Sequence, residues 1–169
     1  MSIRHPTCAI LVALISWSTS AFSEQAPARP ASAGASLAEH FDTAKSVTVS
    51  GIVHGIAWET KSPYVFIAIA VDNKETGTRE VRWALRGDTR EALQRAGWTF
   101  HPKGTDATVQ LGFRVRATAY PARSNIDLDA AIPGAPPMML QAAKAGGLMH
   151  GIEITRVKDG QTFYFGPRK

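Results

Sequence analysis

The segment Tyr64 to Asp72 reads YVFIAIAVD, and its first eight residues are apolar at both parities: Val65, Ile67, Ile69 and Val71 against Tyr64, Phe66, Ala68 and Ala70. Successive strand side chains point to opposite faces, so a segment apolar on both belongs at the centre of a sheet. Its neighbours read as strands as well. Ser46 to Trp58 (SVTVSGIVHGIAW) alternates around Val47, Val49 and Val53, and Gly51 and Gly55 mark bulges or bends. The hairpin loop Asn73 to Thr78 (NKETGT) leads into Thr78 to Arg86, which turns Val81, Trp83 and Leu85 inward and Glu80, Arg82, Ala84 and Arg86 outward. Asp88-Thr89-Arg90-Glu91 has capping-box spacing and opens a short helix through Leu93 that Gly97 ends. A fourth strand, Thr108 to Thr118, is expected to bury Val109, Leu111, Phe113 and Val115 and to expose Arg114 and Arg116. A fifth, Leu148 to Lys158, runs into an Asp159-Gly160 turn, and Thr162 to Phe165 returns. Three strands, helix, two strands predicts an all-β fold with one short helix: a small OB-like five-stranded Greek-key barrel, with the helix between strands 3 and 4 and a C-terminal hairpin.

Between the fourth and fifth strands, residues 120–147 form a connection of 28 residues with four prolines, longer than the roughly 12 to 15 of ordinary loops. Pro137 suits a first helical position, Met138 to Lys144 are good helix formers, and Gly146-Gly147 stop the helix. Ahead of the barrel, Arg4 and His5 precede an apolar run from Cys8 to Trp17, and Ser20-Ala21-Phe22-Ser23 offers small residues at a cleavage site. Residues 1–23 therefore read as a signal peptide cut after Ser23, 24–36 as a disordered Ala/Pro-rich linker, and 37–169 as a single domain with the insertion 120–147. The apolar run is far short of the roughly 20 residues that span a bilayer. The expected location is the periplasm, with no transmembrane segment after cleavage. Cleavage removes Cys8, the only cysteine, and with it disulfides and thiolate chemistry. The net charge of +5 would suggest nucleic acid for a cytoplasmic OB barrel; export argues against that partner and for a small anionic ligand or a periplasmic protein.

Several short stretches resemble one family: His40-Phe41-Asp42, the strand Val47-Thr48-Val49-Ser50-Gly51, Trp58 followed by Ser62-Pro63-Tyr64, Trp83-Ala84-Leu85, Leu93 through Gly97-Trp98, and the closing Asp159-Gly160. In this order they are similar to DUF6152, exported bacterial proteins of unknown function. The resemblance covers His40 to Ala119 and the last twenty residues, and it implies a fold and a compartment but no activity. The chain departs from the family pattern in having Ser62-Pro63-Tyr64 where relatives often carry Asn-Pro-His, and Glu39-His40 where they often carry paired histidines. Ile126 to Gly147 reads as an insertion relative to it.

Two groups of residues are candidates for a site. On the outer face of strands 2 and 3, Tyr64 and Phe66 can stack on a flat ligand while Arg82 and Arg86 pair with a carboxylate, sulfate or phosphate. The structural alternative is an apolar patch beneath the insertion beside a charged edge. The second group is a soft-metal set, His40, Met149 and His150, suited to copper(I); no cofactor is required otherwise. No Gly-x-Ser-x-Gly elbow, His-Glu-x-x-His helix or phosphate loop is present, and His54 and His101 have no carboxylate spaced to orient them. The expected function is therefore a non-catalytic binding or interaction module, with a periplasmic copper-binding protein as the alternative. Trp58, Trp83 and Trp98 are expected to pack the barrel, and Trp83→Ala to cost about 3 to 5 kcal/mol.

Overall fold

The computed structural model describes residues 37–100 and 107–166. The expected leader and linker, residues 1–36, and His101 lie outside them. The strands are β1 (Val47–Ala57), β2 (Tyr64–Asp72), β3 (Arg79–Thr89), β4 (Arg114–Pro121), β5 (Leu148–Arg156) and β6 (Thr162–Tyr164). They run in the order β3-β2-β1-β4-β5-β6, and a further β3–β5 pairing closes the first five into a barrel with β6 bonded outside it. The closing ladder is parallel and short: Ala84 faces Leu148, Leu85 faces Met149 and Arg86 faces His150. The OB-type barrel expected from the order of elements is the fold of the chain. The bulge expected in β1 falls between Val53 and Gly55 in its pairing with β2.

Both apolar faces of β2 are buried, against different partners. Val65, Ile67 and Ile69 join Val49, Val53, Leu85, Val115, Met149 and Phe165 inside the barrel. Phe66 and Ala68, on the outer side, join a second core with Phe41, Ala84, Tyr120, Ile132, Met139 and Leu148. That core exists because the long connection folds back over the barrel. It contains α2 (Leu128–Ala131), capped by the Asp127 carboxylate, and α3 (Pro137–Ala142), which opens on Pro137 as its sequence requires and unwinds through a π-turn at Ala143–Gly147. The roof presses hard on β3: a side chain at Gly147 would place its Cβ about 2.0 Å from the Arg82 carbonyl oxygen, so only glycine fits there.

Three local expectations need correction. The helix between strands 3 and 4, α1 (Arg90–Arg95), is capped by Thr89, whose hydroxyl accepts from Ala92 N–H. Asp88 is not the cap, because its own N–H donates to the Phe165 carbonyl and β3 continues through Thr89; the capping box with Glu91 does not form. β4 begins at Arg114 and not at Thr108, since Leu111-Gly112 form a turn with Gly112 at φ +83° and its N–H on the Val53 carbonyl. Leu111 consequently points outward and is 62% exposed. Trp83 faces the barrel but sits at its rim, half-buried, with Arg82 over its ring.

α1 plugs the barrel end through Leu93, and Trp98 fastens it. Trp98 is 5% exposed, meets Phe163 edge-on and Phe165 at a tilt, and its indole N–H donates to the Tyr164 carbonyl at 2.6 Å. Trp98→Ala is expected to cost about 3 to 5 kcal/mol, and Trp83→Ala clearly less because that side chain is only partly buried. Chemical denaturation of the two variants checks the order; equal losses would show that the rim tryptophan carries as much of the core as the buried one.

Candidate functional site

β3 and β5 each put one polar residue onto the roofed outer face. Parallel strands paired in register project matching residues to the same side, so the Arg86–His150 pair places a guanidinium next to an imidazole. Each residue is only 3% exposed. The Arg86 guanidinium carbon lies 4.2 Å from the centre of the Tyr64 ring and 4.9 Å from that of Phe41. Phe41 also lies 5.5 Å, ring to ring, from His150, so cation and imidazole share one aromatic wall. The chain holds Phe41 there by a bridge to Ala122 and by backbone bonds from the turn at 37–40. Tyr64 is set by Ser62, whose buried hydroxyl accepts from the Tyr64 N–H.

The polar partners are few. Arg86 Nη1 donates to the Ala131 carbonyl at the end of α2, at 2.6 Å. Its Nε has no partner, nor has either ring nitrogen of His150, and Arg86 forms no ion pair among the described residues. Each buried polar atom left so costs about 1 to 3 kcal/mol, and a charged one more. Two aromatic faces return part of that through cation–π attraction, about 2 kcal/mol where desolvated. Burial pushes the Arg86 pKa down from its ordinary value, opposed by Tyr64 and Asp88, while the intrinsic basicity of guanidinium keeps it charged. Burial first, and the charge of Arg86 second, push His150 down to about 3. At neutral pH the pair is thus one cation and one neutral imidazole, which has one N–H donor and one lone pair.

The sequence-derived candidates separate on this geometry. Tyr64 and Arg86 come together. Phe66 shares their face but is fully buried in the second core, so its ring is covered by the insertion. Arg82 is exposed and lies 5.5 Å from the Trp83 ring centre, away from this pair. In the soft-metal set, strand parity divides Met149 from His150: the thioether packs in the barrel interior, the imidazole on the outer face. His40 is half-buried, and its carbonyl accepts from Arg123 N–H. Among the described residues no three His, Cys, Asp or Glu side chains gather as a metal site. Phe41 and Ala131 were not among the candidates. The clue to the pair was that Arg86 and His150 are each the one polar side chain in an otherwise apolar stretch, Trp83 to Gly87 and Leu148 to Ile152. Where the two ends of the insertion meet the barrel there is also a cleft of about 310 Å³ bordered by Arg123, Ser124, Lys144 and Leu148.

A closed five-stranded OB-type barrel with a roofed outer face describes the class of protein. A family model described as a family of unknown function, DUF6152, matches residues 24–128, and the chain belongs to that family. Arg86, Tyr64 and Phe41 fall inside the matched stretch; Ala131 and His150 follow it. No curated protein and no solved structure matches the chain.

His150 also makes stability depend on pH in a defined direction. Its folded pKa of about 3 lies below the ordinary 6.5, so the unfolded chain takes up this proton more readily than the folded one. Its contribution is fully present above pH 6.5 and is lost progressively as pH falls toward 3. The thermal midpoint of the wild type should drop across that window more steeply than that of His150→Gln. Parallel curves would mean that the folded chain takes up this proton as readily as the unfolded one.

Proposed function

We propose that this protein is a non-catalytic binding module of the bacterial periplasm whose ligand presents a compact oxyanion, a carboxylate, sulfate or phosphate, to Arg86. One observation carries the reading: a guanidinium 3% exposed, clamped between Tyr64 and Phe41, with, among the described residues, a single carbonyl as hydrogen-bond partner and a free Nε–H. A buried cation without an ion-pair partner is costly, and an anion delivering two oxygens to the guanidinium edge is the group that removes that cost. Binding rather than catalysis fits this centre, because a guanidinium orients an anion but neither gives nor takes a proton at neutral pH. Export, inferred from the leader pattern in residues 1–23, supplies the compartment. The insertion is read as the cover of the seat, with the Ala131 carbonyl standing where a ligand oxygen would bind.

Thermal-shift titrations with acetate, sulfate and phosphate test this, since a ligand that binds only the folded state raises the midpoint with concentration. At least one anion should raise that of the wild type, and Arg86→Met should abolish the response while Arg82→Met keeps it. Without anion, Arg86→Met should be as stable as the wild type or more so, because replacing a buried ion by an apolar side chain of similar volume is often neutral or stabilising. A strong loss of stability, with no anion response in the wild type, would make Arg86 a structural strut and end this reading.

A further inference from the structure

We propose that His150 is the second half of the Arg86 seat, so that the oxyanion and one proton bind together and the site takes up the elements of an acid. This rests on the reading of Arg86 as an anion site and adds to it a binding residue and a stoichiometry.

The geometry comes first. Arg86 and His150 are register partners on the closing ladder, lie on one face, and pack against the same Phe41 ring. Three polar atoms there have no partner among the described residues: Arg86 Nε and both nitrogens of His150. The chain end closes tightly on this imidazole, and residue 166 must be glycine: a Cβ there would come within 2.5 Å of the Gly151 carbonyl oxygen and 2.9 Å of His150 Nε2. An anion oxygen taken by Arg86 Nε–H would thus lie on the face that also carries the imidazole.

Charge decides the protonation. Among the described residues, the titratable and charged groups around the ring are Arg86 on β3, Tyr120 opposite His150 on β4, and, beyond Arg86, Tyr64 on β2 and Asp88 on β3. α2 adds the backbone carbonyl of Ala131 next to Arg86. Without a bound anion, burial and the guanidinium hold the imidazole neutral. A bound oxyanion offsets the positive charge of Arg86 and offers an acceptor to each N–H it reaches. Protonation then turns the imidazole from one donor and one lone pair into two donors. Solvent supplies the proton to the free ring nitrogen, no covalent bond changes, and for sulfate the charges balance in the filled seat: two negative on the anion against one positive on Arg86 and one on the protonated imidazole. A neutral assembly is the form in which a site this well buried holds an ion at least cost.

Calorimetric titration of the protein with sodium sulfate tests this, because sulfate does not itself titrate near neutrality. Run around pH 6.5 in two buffers of different ionisation enthalpy, it reports the protons bound per anion. The wild type should take up close to one proton per sulfate, and affinity should rise about tenfold per pH unit as pH falls through neutrality. His150→Gln should still bind sulfate, more weakly, with no proton uptake and a flat pH profile. Sulfate binding by the wild type without proton uptake, or uptake that persists in His150→Gln, would overturn this inference and leave the Arg86 reading standing. No binding of sulfate, phosphate or acetate by the wild type would overturn both.

Discussion

Three residue pairs between β3 and β5 close the barrel, and most of what is particular to this protein depends on them. The closure joins the third strand of the meander to a strand that returns after the long insertion, in parallel, with only Ala84, Leu85 and Arg86 engaged on one side. Inside, it seals the core through Leu85, Met149 and Phe165, the last held against the backbones of Gly87 and Gly151. Outside, it joins the faces of β2, β3 and β5 into the floor of the second core. Because parallel strands in register project matching residues the same way, the closure also sets Arg86 next to His150.

That juxtaposition breaks the ordinary rule that buried polar groups are satisfied and buried charges are paired. The fold compensates in part with two aromatic rings and one carbonyl, and without an anion between them it keeps the imidazole neutral, so that two like charges do not meet under the roof. A sequence selected for stability alone has a cheaper solution in an apolar residue at position 86. Departures of this kind concentrate where a structure is made to hold something else, and here the unsatisfied atoms are two donors and one lone pair beside a fixed positive charge.

The insertion changes the character of the face. The outer surface of the second and third strands is where OB barrels commonly meet ligands in the open; here α2 and α3 lie over it. Phe66 and Ala68 become core, and Arg86, which strand parity sends outward, becomes one of the most buried charged residues in the chain. A ligand at this seat meets a low-dielectric surrounding in which one charge pairing weighs far more than on an open strand face.

The sequence by itself determined the strands, their order and the barrel, because strand periodicity and turn residues are local signals: the double apolar face of Tyr64 to Val71, the glycines of β1, Pro137 at a helix start and the Asp159-Gly160 turn all lie where their chemistry requires. Local signals failed where a distant partner competed. The N–H of Asp88 was taken by Phe165, moving the helix cap to Thr89, and the Leu111-Gly112 turn cut short the strand predicted from Thr108. Half of the candidate site was legible in the same way, since Tyr64 and Arg86 share a face by parity alone. What only the tertiary structure decided was the burial of that face and the identity of Arg86's neighbours. Phe41, Ala131 and His150 come from an entry turn, an insertion helix and the closing strand, and nothing in the spacing of residues 41, 86, 131 and 150 records that the chain brings them together.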